Sequence, residues 1–447
     1  MIYGVIVASI IAYILILSIY RKKYVQEQMA FLCVFLIGLT FVGELDLLLP
    51  IYFVVSLTPF LHKIRKISKK TLLIGIYFII YILYGVLFQD INGTLVTFIS
   101  KIWQFVIFFI VYDSEICVKD TDYKSTIKWL LLFETIIGVY LLVTSTHMST
   151  SGLVRLVFNA QPITGNISTA TLPLSVYYYY KNRKNPEAAK WIITINLIML
   201  VWIVLSGTRG YTLEFAATMF FVIFDYFTHN TGRTSATNRV ITFIGITLCS
   251  VVLVIVIPEI LERASSILRL RTSVGIRTYE NAAIIDYIKS APFLNKMIGL
   301  GLGGGTPDSH ALQSALLKQI GLGMWNRSHY LYGKGAMFHN LYANILMCFG
   351  ILGILVILRL NIIIWRRIRV SCGAQKGLCL VLHLFQLSFL LMNYYRWSAD
   401  CGICEMIILA LVLKLISAQK DSMSWDSIVM KDVNPIQNEE IRIREKD

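Results

Sequence analysis

The chain has 447 residues, of which 56% are hydrophobic and only 15% are charged, and its mean hydropathy is +0.67. An average soluble protein is about 25% charged, and one soluble core cannot bury this much apolar surface. The composition excludes a soluble globular, disordered or disulfide-stapled secreted chain and predicts a polytopic membrane protein. The net charge of +15 is expected to mark cytoplasmic loops. A nucleic-acid partner is not expected, because no soluble basic domain is apparent.

Apolar runs long enough to cross a bilayer recur along the chain. A membrane-spanning helix needs roughly 20 such residues. Several runs are short, so the sequence predicts about 11 to 14 spans, and helices are favoured over a barrel because no two-residue alternation appears. The fold class is therefore all-α, a transmembrane helix bundle. The first run is expected to be an uncleaved span because its basic residues follow it. The runs lie at 3–20, 29–44, 47–61, 71–88, 94–112, 126–145, 168–180, 191–206, 211–228, 240–257, 339–364, 378–393 and 401–417.

Basic residues occupy alternate connections between these runs, and such connections are expected in the cytoplasm. The other connections are short and poor in Lys, and they should face outward. This alternation divides the chain into N-terminal spans (1–257), one large extracytoplasmic loop (258–338), C-terminal spans (339–417) and a cytoplasmic tail (418–447). The cytoplasmic groups are Arg21-Lys22-Lys23, then Lys63 to Lys70, Lys181 to Lys190, Arg233 with Arg239, and Arg366 to Lys376.

The outer loop 258–338 holds more Lys and Arg than Asp and Glu. Positive charge outside opposes the topological bias, so an anionic ligand at the outer surface would explain it, although long loops are exempt from the bias. Residues 279–290 have the pattern of an amphipathic helix. The glycine run 299–305 is expected to end it as a mobile turn, and it lacks the features of a nucleotide-binding loop.

Four polar sites map to the outer face: Arg155, Arg209 in Ser206-Gly207-Thr208-Arg209-Gly210, Arg277, and His339-Asn340. Taken singly, each could be a snorkelling, solvated or helix-capping residue. Their common side of the membrane favours a shared site. Within the apolar runs, Glu214 is placed to orient Arg209 as an ion pair. Lys101 and Glu134 are expected to form a structural pair.

Three segments resemble motifs of the O-antigen ligase and O-antigen polymerase superfamily of bacterial envelope glycosyltransferases. The segments are Leu205 to Gly210; Gly275-Ile276-Arg277-Thr278-Tyr279 with Pro292-Phe293 and Gly299-Leu300-Gly301-Leu302-Gly303; and His339-Asn340-Leu341-Tyr342-Ala343-Asn344 with Gly350-Ile351-Leu352-Gly353. The resemblance covers roughly 205–358, and 159–172 is faintly similar to an earlier outer loop of the family. Thr208 stands where the family usually has Ser, and 306–338 is a long insertion before His339.

The resemblance implies a GT-C-like glycosyltransferase in the bacterial inner membrane, with an outward cavity, no cofactor and no metal. Its donor would be an oligosaccharide on undecaprenyl pyrophosphate. The acceptor would be a sugar hydroxyl, on another lipid-linked repeat unit for a polymerase or on lipid A–core for a ligase. A chain-length regulator and a flippase are the protein partners that this role implies.

Within that scheme, Arg209 and Arg277, with Arg155 as a weaker third, are assigned to the pyrophosphate, because a guanidinium binds phosphate oxygens bidentately. His339 is the expected general base, and Asn340 supports it. No carboxylate is placed as a nucleophile, so direct displacement with inversion is expected. The alternatives are a ligase and a transporter of lipid-linked sugars, whose usual internal repeat the sequence lacks.

Overall fold

The computed structural model of the chain describes residues 69–88, 103–114, 163–205, 218–223, 225–226, 288–302, 341–373, 375–392 and 405–418, with six isolated positions at 127, 131, 135, 215, 284 and 285. Within these ranges every regular element is helical and there is no strand. The main helices are α1 (Lys69–Phe88), α2 (Trp103–Asp113), α3 (Ile163–Asn182), α4 (Pro186–Leu205), α5 (Phe293–Ile298), α6 (Leu341–Cys372), α7 (Lys376–Met392) and α8 (405–418).

The all-α prediction is confirmed for the described part of the chain. Seven of the predicted apolar runs, from 71–88 to 401–417, contain or overlap one of these helices. In that part of the chain, one helix, Leu341–Cys372, is both long and apolar enough to cross a bilayer, while Leu72–Phe88 and Lys376–Leu391 are shorter apolar helices. The number of spans stays a prediction.

α3 and α4 form an antiparallel hairpin closed by a short basic turn. The Asn185 side chain caps α4, its Oδ1 accepting from the backbone N–H of Glu187 at 3.1 Å and of Ala188 at 3.4 Å. Pro186 begins the helix, where its missing N–H costs nothing. Tyr178 and Trp191 then pack edge to face at 5.4 Å between the helices. The local sequence therefore dictates where α3 ends and α4 begins.

α6 and α7 form a second hairpin, which turns at Gly373 in the left-handed region with φ 54°. Its interface contains polar groups: the buried Gln386 side chain donates to the backbone oxygen of Asn361 at 2.8 Å. One turn nearer the hairpin end, Trp365 stacks on His383 with ring centroids 3.8 Å apart. These contacts fix the register between the two helices.

α6 extends to Cys372, beyond the predicted end of the run at residue 364. The sequence prediction stopped at the basic cluster, but long basic side chains continue a helix while their charged groups reach polar surroundings. Arg367 also has a partner: its guanidinium donates to Asp113 at 3.0 Å and lies 4.1 Å from the centre of the Tyr112 ring. The ion pair joins the end of α2 to α6.

Several helix ends meet at this basic end of the bundle. The Lys414 ammonium of α8 donates to the backbone oxygen of Ser114, which directly follows α2. Ser417 donates to Ser371 at 3.2 Å. Each of these contacts joins segments that the charge pattern assigns to the cytoplasmic side. We call the end defined by Asp113, Arg367 and Lys414 the basic end.

The Asp113–Arg367 pair should contribute to stability because both side chains are mostly buried, at 10% and 20% exposure. Arg367→Gln removes a charge-assisted hydrogen bond and a ring contact, so we expect a loss of about 1.5–3 kcal/mol. The matched control is Arg366→Gln, an exposed neighbour whose replacement should change stability by about 0.5 kcal/mol or less. Unfolding of the purified protein in detergent measures both. Equal effects would contradict the structural role of the pair.

Candidate functional site

The six predicted site residues lie outside the described residues: His339, Asn340, Arg209, Arg277, Arg155 and Glu214. Their mutual distances stay a prediction. The structure does describe the segments that adjoin three of them. α4 ends at Leu205, just before the Arg209 motif; residues 288–302 follow Arg277; and α6 begins at Leu341, directly after His339-Asn340.

The helix predicted at 279–290 is confirmed where it is described, but its predicted apolar face is wrong at Ile285, which the pattern placed on that face with Ile288. Residues 284, 285 and 288–290 are helical, and Ile284 is buried while Ile285 is exposed. A second helix that the sequence did not predict, α5, follows Pro292 and ends at Ile298, with Gly299 as its C-cap. Gly299 adopts φ 75° and its N–H donates to Asn295 at 2.9 Å. Only glycine adopts this conformation without strain.

The glycine run after α5 is anchored to α6, so the expectation of a mobile turn is wrong for residues 299–302. The N–H of Leu300 donates to the carbonyl of Met347 at 2.9 Å, and the N–H of Gly301 donates to that of Cys348 at 3.0 Å. Leu302 is fully buried. These bonds satisfy backbone groups that would otherwise be unpaired in the interior.

The bonds are possible because α6 is broken at Gly350, where φ is 63° and ψ is −160°. A continuous helix would use the carbonyls of Met347 and Cys348 for its own next turn. The two chain segments also approach very closely. A Cβ on Gly299 would lie 2.4 Å from the carbonyl carbon of Cys348, and one on Gly350 would lie 2.5 Å from the carbonyl oxygen of Met297. Neither position has room for a side chain.

The break folds α6 sharply back on itself. In a straight helix, residues eight apart are separated by about 12 Å along the axis. Here a Cβ on Gly353 would lie only 3.3 Å from Cγ2 of Ile345 and 2.2 Å from Cβ of Phe349. Gly353 therefore fills the inside corner of the bend. We call Gly299, Gly301, Gly350 and Gly353 the glycine junction.

Aromatic residues of α1 hold the glycine junction in place. The Tyr81 hydroxyl donates to the carbonyl of Ile298, the last residue of α5, at 3.1 Å. Phe349, beside the break, packs against Tyr81 with ring centroids 4.7 Å apart and against Phe78 edge to face. The junction thus joins α1, α5 and α6 in one packed unit.

The bend divides α6 into two parts with different surroundings. Residues 341–349 are buried except for Tyr342 and Leu346, which are half-buried, whereas 351–372 alternates between buried and exposed positions. The Tyr342 hydroxyl donates to the carbonyl of Leu390 near the end of α7 at 2.6 Å. The segment that begins directly after His339-Asn340 is therefore enclosed by protein and fixed at its start.

Within the described residues, the glycine junction and the α1 aromatic side chains around it offer backbone and aromatic groups but no carboxylate or imidazole. Among the described residues there is no group of three His, Cys, Asp or Glu side chains that could hold a metal ion. What the arrangement can do is position the chain. It fixes residues 299–301, in the segment that follows Arg277, against residues 347–350 of α6, the helix that begins directly after His339-Asn340.

Sequence reasoning missed several charged residues within the apolar runs: Arg359 on the exposed side of α6, Asp225, and the buried Glu405 and partly buried Lys414 of α8. The signal was present, since a charge between Leu358 and Leu360 interrupts a run predicted to cross a membrane. It also missed the polar interface of Asn361, His383 and Gln386, whose side chains resemble ordinary polar interruptions of a helix until their partners are known.

No protein-family model matches the chain, and no curated protein is significantly similar to it. The resemblance to the O-antigen polymerase and ligase superfamily therefore rests on the motifs and their order. The structure adds that glycines from two of these motifs are in contact.

The geometry of the glycine junction predicts that replacing its glycines with alanine lowers stability much more than the same replacement at a glycine in an ordinary helix. Gly353→Ala and Gly350→Ala should each cost at least about 1–3 kcal/mol of stability, because a methyl group overlaps neighbouring atoms. Gly75→Ala in α1 is the control, since no atom lies within 4 Å of its added Cβ and alanine favours a helix by about 0.5–1 kcal/mol. Thermal unfolding in detergent measures all three. A Gly353→Ala protein as stable as Gly75→Ala would contradict the folded-back geometry.

Proposed function

We propose that this protein is a multi-pass protein of the bacterial inner membrane and an O-antigen (surface polysaccharide) polymerase. It joins undecaprenyl-pyrophosphate-linked repeat units at the outer face of that membrane. The observation that carries the proposal is the glycine junction, because it brings the loop motif after Arg277 to the span motif after His339. The glycine run after Arg277 and the glycines of α6 after His339 belong to consecutive motifs, and the two are in contact in the fold.

Exposed apolar faces support the membrane location. On α1 the side chains of Leu73, Ile80 and Leu87 are 65%, 58% and 72% exposed. On α6 a similar stripe follows Ile351, Leu355, Leu358 and Ile362. A soluble monomer rarely exposes apolar surface continuously along a helix, whereas lipid covers such surface without cost.

The contacts between helix ends support the predicted sidedness. Asp113, Arg367 and Lys414 gather at the basic end, which the charge pattern assigns to the cytoplasm. The contact of Tyr342 with Leu390 joins segments assigned to the outer side, and Tyr81, near the middle of α1, contacts Ile298 of the predicted outer loop. None of these contacts joins a helix end assigned to the cytoplasm with a helix end assigned to the outer side.

The proposed chemistry uses the residues of the three motifs. Arg209, oriented by Glu214, and Arg277 bind the pyrophosphate, with Arg155 as a weaker third. Their guanidiniums stabilise the charge that develops on the bridging oxygen as the glycosidic bond to phosphate breaks. His339, beside Asn340, takes the proton of the attacking sugar hydroxyl. Attack from the face opposite the leaving group inverts the anomeric centre, and the enclosed segment 341–349 supplies proximity.

The scheme requires no metal, because a lipid pyrophosphate is already a good leaving group. Lipid-linked oligosaccharide and the bilayer are the proposed partners, together with a chain-length regulator and a flippase. Ligase activity remains the alternative, with lipid A–core as acceptor. Transport of a lipid-linked sugar is less favoured, since the sequence has one asymmetric outer loop and no repeated halves.

Deletion of the gene separates the candidate activities on a gel of lipopolysaccharide. Loss of a polymerase leaves lipid A–core bearing one repeat unit, and loss of a ligase leaves bare core. We expect the first pattern. An unchanged ladder of long chains would contradict both activities.

Complementation with variants tests the residue assignments. Arg277→Ala and His339→Ala should abolish long glycan while the protein remains in the membrane, as an immunoblot of the membrane fraction checks. Arg209→Lys should also be harmful, because an ammonium cannot reproduce the bidentate fork. Arg366→Gln at the opposite end should support a normal ladder. Normal ladders from both Arg277→Ala and His339→Ala would remove the assignment.

A further inference from the structure

The turn that joins α3 to α4 lies beside the turn that joins α6 to α7. Tyr180, in the last turn of α3, packs against Gly377 in the first turn of α7, where an added Cβ would lie 2.8 Å from Cε1 of the ring. Glycine at this position therefore lets the ring approach the backbone of α7. Arg183, in the turn after α3, lies over the same ring, with its Cζ 6.0 Å from the ring centroid. The two turns thus form one surface.

This surface carries cations from both hairpins. Four of its basic side chains are exposed and one is half-buried, and none of the five makes an ion pair within the described parts of the chain. The carboxylates nearby have other contacts: Glu187 lies 3.7 Å from Lys190, and Asp225 accepts from the Tyr179 hydroxyl at 3.1 Å. The surface therefore keeps an excess of positive charge. The five cations, which we call the turn patch, are Arg183 and Lys184 from one hairpin and Arg366, Arg369 and Lys376 from the other.

Exposed apolar side chains border the turn patch on α6 and α7. Val370, directly after Arg369, is 70% exposed, and Leu380, one helical turn after Lys376, is 51% exposed. Trp365, one turn before Arg369, is 41% exposed, and tryptophan is enriched at the interface between bilayer and water. A partner that fits both features carries negative charge and apolar chains together. An anionic phospholipid has this chemistry, because its phosphates accept hydrogen bonds from cations while its acyl chains cover apolar surface.

We propose that the turn patch binds the headgroup of an anionic phospholipid in the cytoplasmic leaflet, with cardiolipin as the best-matched lipid because its two phosphates can engage both turns at once. The inference rests on the membrane location within the proposed function and is independent of glycosyl transfer. Positive charge on the cytoplasmic side orients any membrane protein, but orientation requires no contact between separate loops. The packing of Tyr180 on Gly377 is the feature that brings cations from two hairpins to one place.

Native mass spectrometry of the purified full chain, titrated with cardiolipin in detergent, tests the inference through the dissociation constant of the first bound lipid. Arg183→Gln and Lys376→Gln remove one cation from each turn, and each should weaken binding about fivefold. The double variant should bind about twentyfold more weakly or worse. Lys69→Gln is the matched control: it removes an exposed cation at the start of α1 and should bind as the unaltered protein does. Phosphatidylcholine, which has no net charge, should not distinguish the variants.

Three results would overturn the inference. Unchanged cardiolipin binding by the double variant would show that the turn patch is not the site. An equal loss from Lys69→Gln, Arg183→Gln and Lys376→Gln would show diffuse attraction to every cytoplasmic cation. Tighter binding of poly-glutamate than of cardiolipin at the same ionic strength would assign the patch to an acidic protein. All three leave glycosyl transfer untouched, whereas an unchanged lipopolysaccharide ladder after gene deletion contradicts the proposed activity and leaves lipid binding standing.

Discussion

Two backbone hydrogen bonds, from Leu300 to Met347 and from Gly301 to Cys348, hold together the two chain segments on which the proposed function depends. They require a helix that has released its own carbonyls and a loop that can approach without side chains. Gly350 supplies the first condition, and Gly299 supplies the second. The released carbonyls need the loop N–H groups as donors, and the loop needs the released carbonyls as acceptors. The loop and the broken helix therefore stabilise one another. The four glycines of the junction belong to two motifs that are about fifty residues apart in the chain.

The helical architecture could be predicted because it depends on local sequence. Apolar runs indicated the positions of α1 to α4 and α6 to α8, and Asn185-Pro186 marks the boundary between α3 and α4. Charge placement also predicted which helix ends share a side, and the contact of Asp113 with Arg367 joins two such ends. Each of these features depends either on residues near one another in the chain or on the preference of Lys and Arg for cytoplasmic loops, which acts on every loop.

The bend in α6 could not be predicted in the same way. Residues 339–364 are predicted as one continuous span, because an isolated glycine is tolerated within a helix and does not by itself predict a break. The break is stabilised by contacts with residues 297–301, so it depends on a partner distant in sequence. The same reason explains the wrong expectation of a mobile turn at 299–302. For the candidate site, the motifs indicated which residues to combine, whereas His339, Arg277 and Arg209 are known only by the segments that adjoin them.

The central claim is that this junction assembles cations and an imidazole at one outer site, and the most direct measurement is pairwise cross-linking in native membranes. Cysteines replace Arg277 and His339 in a chain otherwise free of reactive thiols, and a short bifunctional maleimide is added. Cysteines at Tyr81 and Ile298, whose contact the structure describes, serve as the positive control. The account predicts efficient cross-linking of both pairs. Cross-linking of the control pair without any between positions 277 and 339 would contradict it.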